Sequence, residues 1–161
     1  MTLDLLIRPA VAADLEQVRQ LLVETWHDTY DPLIGPEKVT AITGQWHAPE
    51  VLARQIEAPD SVFLVALHGE DLVGHALAQS RQPPIVMLLR LYVLPRWQRR
   101  GIGGRLLDAV IEAYPGLTAL RLSVEADNPK GVSFYTAHGF ELRGEHAEDG
   151  VSTLRMERML A

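Results

Sequence analysis

The residues best suited to chemistry in this chain lie in one stretch, Leu91 to Leu107, which reads LYVLPRWQRRGIGGRLL. An apolar strand stops at Pro95, and Gly101, Gly103 and Gly104 follow at the start of an apolar helix. Glycine lets a backbone take positive φ and approach a ligand with no Cβ in the way. A helix start adds unpaired N–H groups and the positive end of the helix dipole. Arg99, Arg100 and Arg105 bring charge to the same place, so the stretch reads as an anion-binding bend for a phosphorylated ligand. Two nucleotide loops fail in detail. A P-loop needs Gly-Lys before Ser or Thr, and Gly104 is followed by Arg105 and Leu106; a dinucleotide fingerprint needs a third glycine where Leu106 stands.

The elements that must position this bend follow from pattern. Leu3 to Arg8 reads as a first strand ended by Pro9, and a helix with Asp14 as N-cap carries Leu15, Val18, Leu21 and Leu22 at helical spacing. The run WHDTYDPLIGPEK places Trp26, His27, Tyr30 and Asp31 at the helix exit and in a Pro- and Gly-rich turn. Glu37 to Trp46 and Glu50 to Ile56 read as short helices, and Ser61 to Leu67 with Leu72 to Gln79 as a hairpin, followed by a loop at SRQPP. Ile85 to Val93 is the most apolar strand and belongs at the sheet centre. A helix from Gly103 to Tyr114, a strand from Ala119 to Glu125, a helix over PKGVSFYTAHG and a hairpin of Phe140 to His146 and Val151 to Leu160 around Glu148-Asp149-Gly150 complete the order. There is no repeat or linker, which predicts one domain over residues 1–161.

Gln98-Arg99-Arg100-Gly101-Ile102-Gly103 after LYVLP, with Asn128, Phe134-Tyr135 and Gly139-Phe140 downstream, resembles the signatures of the GNAT superfamily of N-acetyltransferases. The resemblance spans essentially the whole chain and is weakest before Ser61. It implies an α/β (α+β) GNAT fold: a mixed central sheet of about six to seven strands flanked by helices and splayed between the fourth and fifth strands. It also implies acetyl-CoA as cosubstrate. Leu91, Tyr92 and Val93 would face its acetyl and pantetheine part, and Gln98, Arg99, Arg100, Gly101, Ile102, Gly103, Gly104 and Arg105 would hold its pyrophosphate. Asn128 would contact the pantetheine arm, Tyr135 would point its hydroxyl at the sulfur, and Trp26 and Tyr30 would wall the acceptor site.

The chemistry of acetyl transfer assigns the tasks. An amine near pKa 10 must lose a proton before it attacks a thioester. The developing oxyanion needs a donor such as the Val93 N–H, and the departing thiolate needs a proton, which Tyr135 can give. For the base, some relatives that acetylate protein N-termini carry a glutamate where this chain has Ser123. Glu125, two residues on and on the same strand face, can act through a water; Glu24, Asp28 and Tyr92 are further candidates.

Composition bounds the rest. With 161 residues, 47% of them hydrophobic, the chain can bury a core, and with no cysteine it has no thiolate metal site or thiol nucleophile. The six histidines show no ligand spacing. The absence of a leader or long apolar run predicts a cytoplasmic protein with no membrane partner. A net charge of −6 argues against nucleic acid and suits a cationic acceptor, a small amine or polyamine first, with a peptide or protein amine as the alternative. A non-catalytic acyl-CoA-sensing module is the opposing class, and the C-terminal hairpin offers an edge for a homodimer.

Overall fold

The computed structural model describes residues 4–148 and 151–160. A short strand β1 (Leu6–Pro9) leads into helices α1 (Leu15–Ile34), α2 (Pro36–Trp46) and α3 (Pro49–Glu57). Strands β2 (Ser61–His68), β3 (Asp71–Gln82) and β4 (Ile85–Val93) form a meander. Helix α4 (Ile102–Ala113), strand β5 (Ala119–Glu125), helix α5 (Pro129–Ala137) and the hairpin β6 (Glu141–Glu148) and β7 (Val151–Met159) follow. The seven strands make one sheet in the order β1-β2-β3-β4-β5-β7-β6, antiparallel except for β4 and β5. This is the mixed, helix-flanked sheet expected from the sequence.

Helices cover both faces. Ile102, Leu106, Leu107 and Val110 form the buried stripe of α4, which lies on β2, β3 and β4. Gly74 makes that approach possible: a Cβ there would stand 3.0 Å from Leu106 Cδ1 and 3.2 Å from Ile102 Cγ2. The next residue, His75, points to the opposite face, which α1 and α3 cover.

Two irregularities in β4 set up the site. Leu77 pairs with Arg90 and Ala78 with Leu88, so Leu89 is an extra residue, a β-bulge. A bulge bends its strand and increases local twist. Just before it, β4 stops pairing with β5: the parallel register covers only Ile85, Val86 and Met87 against Ala119, Leu120 and Arg121. Beyond Met87, β4 stays with β3 as far as Val93 opposite Gly74, while β5 stays with β7 as far as Glu125 opposite Thr153. The sheet therefore splits between its fourth and fifth strands.

Several boundaries differ from the sequence expectation. α1 does not end near Trp26 but runs through Pro32 to Ile34, stopping at Gly35 with φ 91°. Pro32 gives up its own bond to the carbonyl four residues back, and α1 ends two residues beyond it. Trp26 and Tyr30 thus sit one turn apart on a helix, not in a turn. β3 extends through SRQ to Gln82, and the connection to β4 shrinks to Pro83-Pro84. Asp14 occupies the N-cap position of α1, yet its carboxylate turns backward, accepting from Arg8 Nη1 at 2.7 Å, Arg8 Nη2 at 3.0 Å and the Val11 N–H at 2.8 Å. Those donors, Arg8 foremost, hold the Asp14 carboxyl below its usual range. Leu3 and the turn residues Asp149 and Gly150 lie outside the described residues.

His75 is fully enclosed, with Nδ1 2.9 Å from the Leu64 carbonyl. Burial, with the Arg90 charge beside it, pushes its pKa down to about 3. An unfolded histidine titrates near 6.5, so between the two values the unfolded state binds more protons and stability falls with pH. From pH 7.5 to pH 5 this one group is expected to remove about 2 kcal/mol of stability, read as a lower urea midpoint. A midpoint unchanged over that window would contradict a neutral His75.

Candidate functional site

The split seam between β4 and β5 is the floor of the site. Leu94 donates its N–H to the Val73 carbonyl at 3.0 Å. Strand residues alternate direction, so the N–H and C=O of Val93 turn away from β3 toward the seam, as do those of Leu91. Gln98 Nε2 donates to the Val93 carbonyl at 3.0 Å and ties the loop to the strand end. The Val93 N–H faces the seam beside it.

The loop then makes its bend with two residues in the left-handed region, Arg99 at φ 63° and Gly101 at φ 82°. For Arg99 this costs about 1 kcal/mol. Gly101 is the N-cap of α4 and offers no side chain, and the first internal bond runs from the Arg105 N–H to the Gly101 carbonyl at 3.1 Å. The N–H groups of Ile102, Gly103 and Gly104 precede that bond and stand at the positive helix end, a nest of donors that fits a pyrophosphate. The arginines divide: Arg99 is exposed, Arg100 lies over the Trp97 ring at 4.9 Å, and Arg105 Nη2 donates to the Leu5 carbonyl at 3.2 Å.

The glycines do not share one role, as the sequence suggested. Only Gly101 takes positive φ. A Cβ on Gly103 would lie 2.9 Å from Phe134 Cε1, and one on Gly104 would lie 3.0 Å from His138 Nε2. Both let α4 close on α5. Asn128 is the N-cap of that helix: its Oδ1 accepts from the Gly131 N–H at 3.1 Å, and its side-chain amide lies toward the Tyr30 oxygen. His138 stacks on Phe134 at 4.2 Å, with Nδ1 2.9 Å from the Phe134 carbonyl.

Tyr135, held edge-on between Phe134 at 5.3 Å and Phe140 at 5.4 Å, is half-buried. Burial, then the nearby Tyr92 and Glu125, raises its phenol far above the ordinary range, so it stays protonated. Glu125 ends β5 and accepts from the Tyr30 hydroxyl at 2.7 Å, a link between residues 95 apart in sequence. Desolvation and the same carboxylate raise Tyr30 strongly and push Tyr92 up to about 12. The Trp26 indole N–H pulls Tyr92 slightly the other way, at a geometry short of a full hydrogen bond. Three phenols therefore surround one carboxylate at the open end of the seam. Trp26 and Tyr30, with ring centroids 4.5 Å apart and planes tilted by 41°, are each 7% exposed and pack behind this cluster. Glu24 is turned outward to Arg96 at 3.0 Å, and Asp28 is exposed.

The sequence reading passed over Arg90, the one charge in IVMLLRLYV, although a lone cation in the most apolar strand is itself a signal. It also missed that Tyr30 reaches Glu125, which only the folded chain brings together.

A mixed sheet split between its fourth and fifth strands, with a glycine-started helix at the split, is the architecture that the GNAT resemblance implies. A sequence profile of the acetyltransferase (GNAT) domain matches residues 30–160, and the chain belongs to that family. Relatives include a spermidine N(1)-acetyltransferase of Thermoplasma acidophilum, 27% identical over 94% of this chain and 97% of that protein. An L-amino acid N-acetyltransferase of Escherichia coli is 26% identical over 88% of this chain and 85% of its own length. Among solved structures, the PaiA N-acetyltransferase of Thermoplasma acidophilum in complex with coenzyme A superposes with a TM-score of 0.89 at 26% identity, covering 98% of this chain and 99% of that one. The protein is an acyltransferase, and its cosubstrate is acetyl-CoA.

Gly103→Ala is expected to destabilise the fold by about 1–3 kcal/mol by overpacking against Phe134, and to weaken acetyl-CoA binding as α4 shifts. Adding Phe134→Leu should recover much of both losses, as urea unfolding and calorimetric titration would read. If the second change recovers neither, the α4–α5 contact is not what Gly103 serves.

Proposed function

We propose that the protein transfers the acetyl group of acetyl-CoA to the primary amine of a small molecule by direct attack. The observation that carries this is the convergence of the seam, the α4 donors, Tyr135 and the Tyr30–Glu125 pair on one end of the sheet. In this reading the N–H groups of Ile102, Gly103 and Gly104 bind the pyrophosphate, the amide of Asn128 and the seam groups of Leu91 and Val93 hold the pantetheine arm, and Arg99 and Arg100 add surface charge. Gln98 braces the loop on Val93.

Glu125 accepts the amine proton through a water, and Tyr30 holds that carboxylate in place. The freed lone pair forms the new C–N bond while the Val93 N–H takes up the negative charge that develops on the acetyl oxygen. The C–S bond then breaks, its electron pair leaves on sulfur, and Tyr135 supplies the proton. Burial, with Tyr92 and Glu125 nearby, keeps that phenol protonated until the thiolate forms. The spermidine and amino acid acetyltransferase relatives support a small-molecule acceptor. The lack of a thiol favours direct attack over a cysteinyl acyl-enzyme, and the presence of Tyr135 favours turnover over acyl-CoA sensing.

Tyr135→Phe should lower kcat at least tenfold, within the span of general acid catalysis, with little change in KM for acetyl-CoA. Glu125→Gln should lower kcat/KM for the amine and leave acetyl-CoA affinity intact. Thiol-release kinetics over a panel of amines, with calorimetry for acetyl-CoA, checks both. A kcat unchanged in Tyr135→Phe removes the phenol from the mechanism, and tight acetyl-CoA binding with no thiol release for any amine favours the sensor.

A further inference from the structure

Arg90 lies in the middle of β4 and is only 9% exposed. Its Nε donates to His75 Nε2 at 3.1 Å and its Nη2 to Gln55 Oε1 at 2.6 Å, and its guanidinium carbon is 5.6 Å from the centre of the Phe63 ring. Every one of these neighbours is uncharged. A guanidinium only donates, so His75 Nε2 must be the unprotonated nitrogen. Among the described residues no carboxylate comes within ion-pair distance of Arg90. A buried cation without a counter-ion is unfavourable by several kcal/mol, and the hydrogen bonds offset only part of that.

A second observation lies beside it. His47, 4% exposed, keeps Nδ1 buried without a hydrogen-bond partner among the described residues. Its ring sits 5.7 Å from that of Trp26, and the Arg90 charge is felt there, helping burial to hold His47 down to about 4. Buried polar nitrogens are nearly always satisfied, so an orphan near an unpaired cation marks a place where a polar partner is missing.

The third is register. Arg90 pairs with Leu77, Tyr92 with His75 and Met87 with Gln79, so all three β4 side chains share one sheet face. Met87 pairs across to Arg121, which puts Ser123 and Glu125 on the same face. Arg90 and Glu125 therefore flank Tyr92 with opposite charges, Arg90 about 7 Å along the strand from it. α1 and α3 cover much of this face, and the neighbouring Met87 and Leu89, 37% and 48% exposed, mark where that cover ends.

Resting on the acetyl-transfer reading above, we infer that Arg90 anchors a carboxylate of the acceptor, so that the enzyme acetylates the amino group of amino carboxylic acids, α-amino acids being the simplest. The carboxylate supplies the missing counter-ion and the amine falls toward Glu125. This departs from the polyamine expectation drawn from net charge, since a second ammonium would face Arg90.

The test compares the twenty L-amino acids with their amides and decarboxylated amines, and with spermidine, by thiol release from acetyl-CoA. The preferred acid should exceed its own amide at least tenfold in kcat/KM. Arg90→Gln should raise KM for that acid roughly a hundredfold, the loss expected for hydrogen bonds to a charged group, and bring acid and amide to parity with KM for acetyl-CoA unchanged. Gln55→Glu, which hands Arg90 an internal carboxylate, should raise the thermal midpoint while erasing the same preference, and so does not depend on a destabilised variant. Amides or spermidine matching the acids in the wild type, or a stabilised Gln55→Glu that keeps its acid preference, would leave Arg90 as a structural cation and overturn the inference with acetyl transfer intact. Absence of thiol release with every acceptor overturns the acetyl-transfer reading itself, and is told apart by the blank in the amide and amine arms.

Discussion

Everything chemical in this fold depends on a hydrogen-bond ladder that stops. Three register pairs join β4 to β5, and then the strands part. An unpaired strand edge inside a sheet is unfavourable unless something else satisfies it, because backbone N–H and C=O groups lose water on burial. The bulge at Leu89 makes the parting stable by bending β4 away at the point where the ladder ends. The cost of the exposed edge becomes the means of binding: an extended ligand arm can add to a free edge as a further strand would.

Electrostatics divides the seam's open face in two. At one end Glu125 is ringed by Tyr30, Tyr92 and Tyr135, so each phenol is held protonated while the carboxylate keeps a donor. Toward the middle, Arg90 keeps its charge among neutral groups, although burial lowers its pKa to about 10. An acidic protein thus carries its local positive charge where strands and helix starts meet, and its net charge is a poor guide to what reaches the site.

What was legible in the sequence was short in range. The glycine loop, the proline after β4, Tyr135 behind Asn128 and the order of strands each declare themselves within about ten residues of chain, and the mixed split sheet follows from that order. The bulge was not legible, because IVMLLRLYV is apolar apart from Arg90 and nothing in it marks Leu89. Nor was the length of α1, since Pro32 reads as a breaker and its tolerance in a last turn depends on packing. The Tyr30–Glu125 bond joins distant residues, and no periodicity reports it. That Gly103 and Gly104 also pack against Phe134 and His138 was hidden for a similar reason: a glycine looks the same in sequence whether it faces a ligand or a neighbouring helix.

That neighbouring helix gives the glycine motif a different meaning. Gly103 and Phe134 are so close that the two signatures, one in the loop and one on α5, are halves of a single contact. The donor groups at the start of α4 and the hydroxyl of Tyr135 are thereby mounted on one stiff body, separated by a distance the protein cannot easily adjust. In the acetyl-transfer reading proposed above, such a body would act as a gauge of the span from a ligand's diphosphate to its sulfur, and carriers with a shorter or longer arm would bring the wrong atom to the phenol.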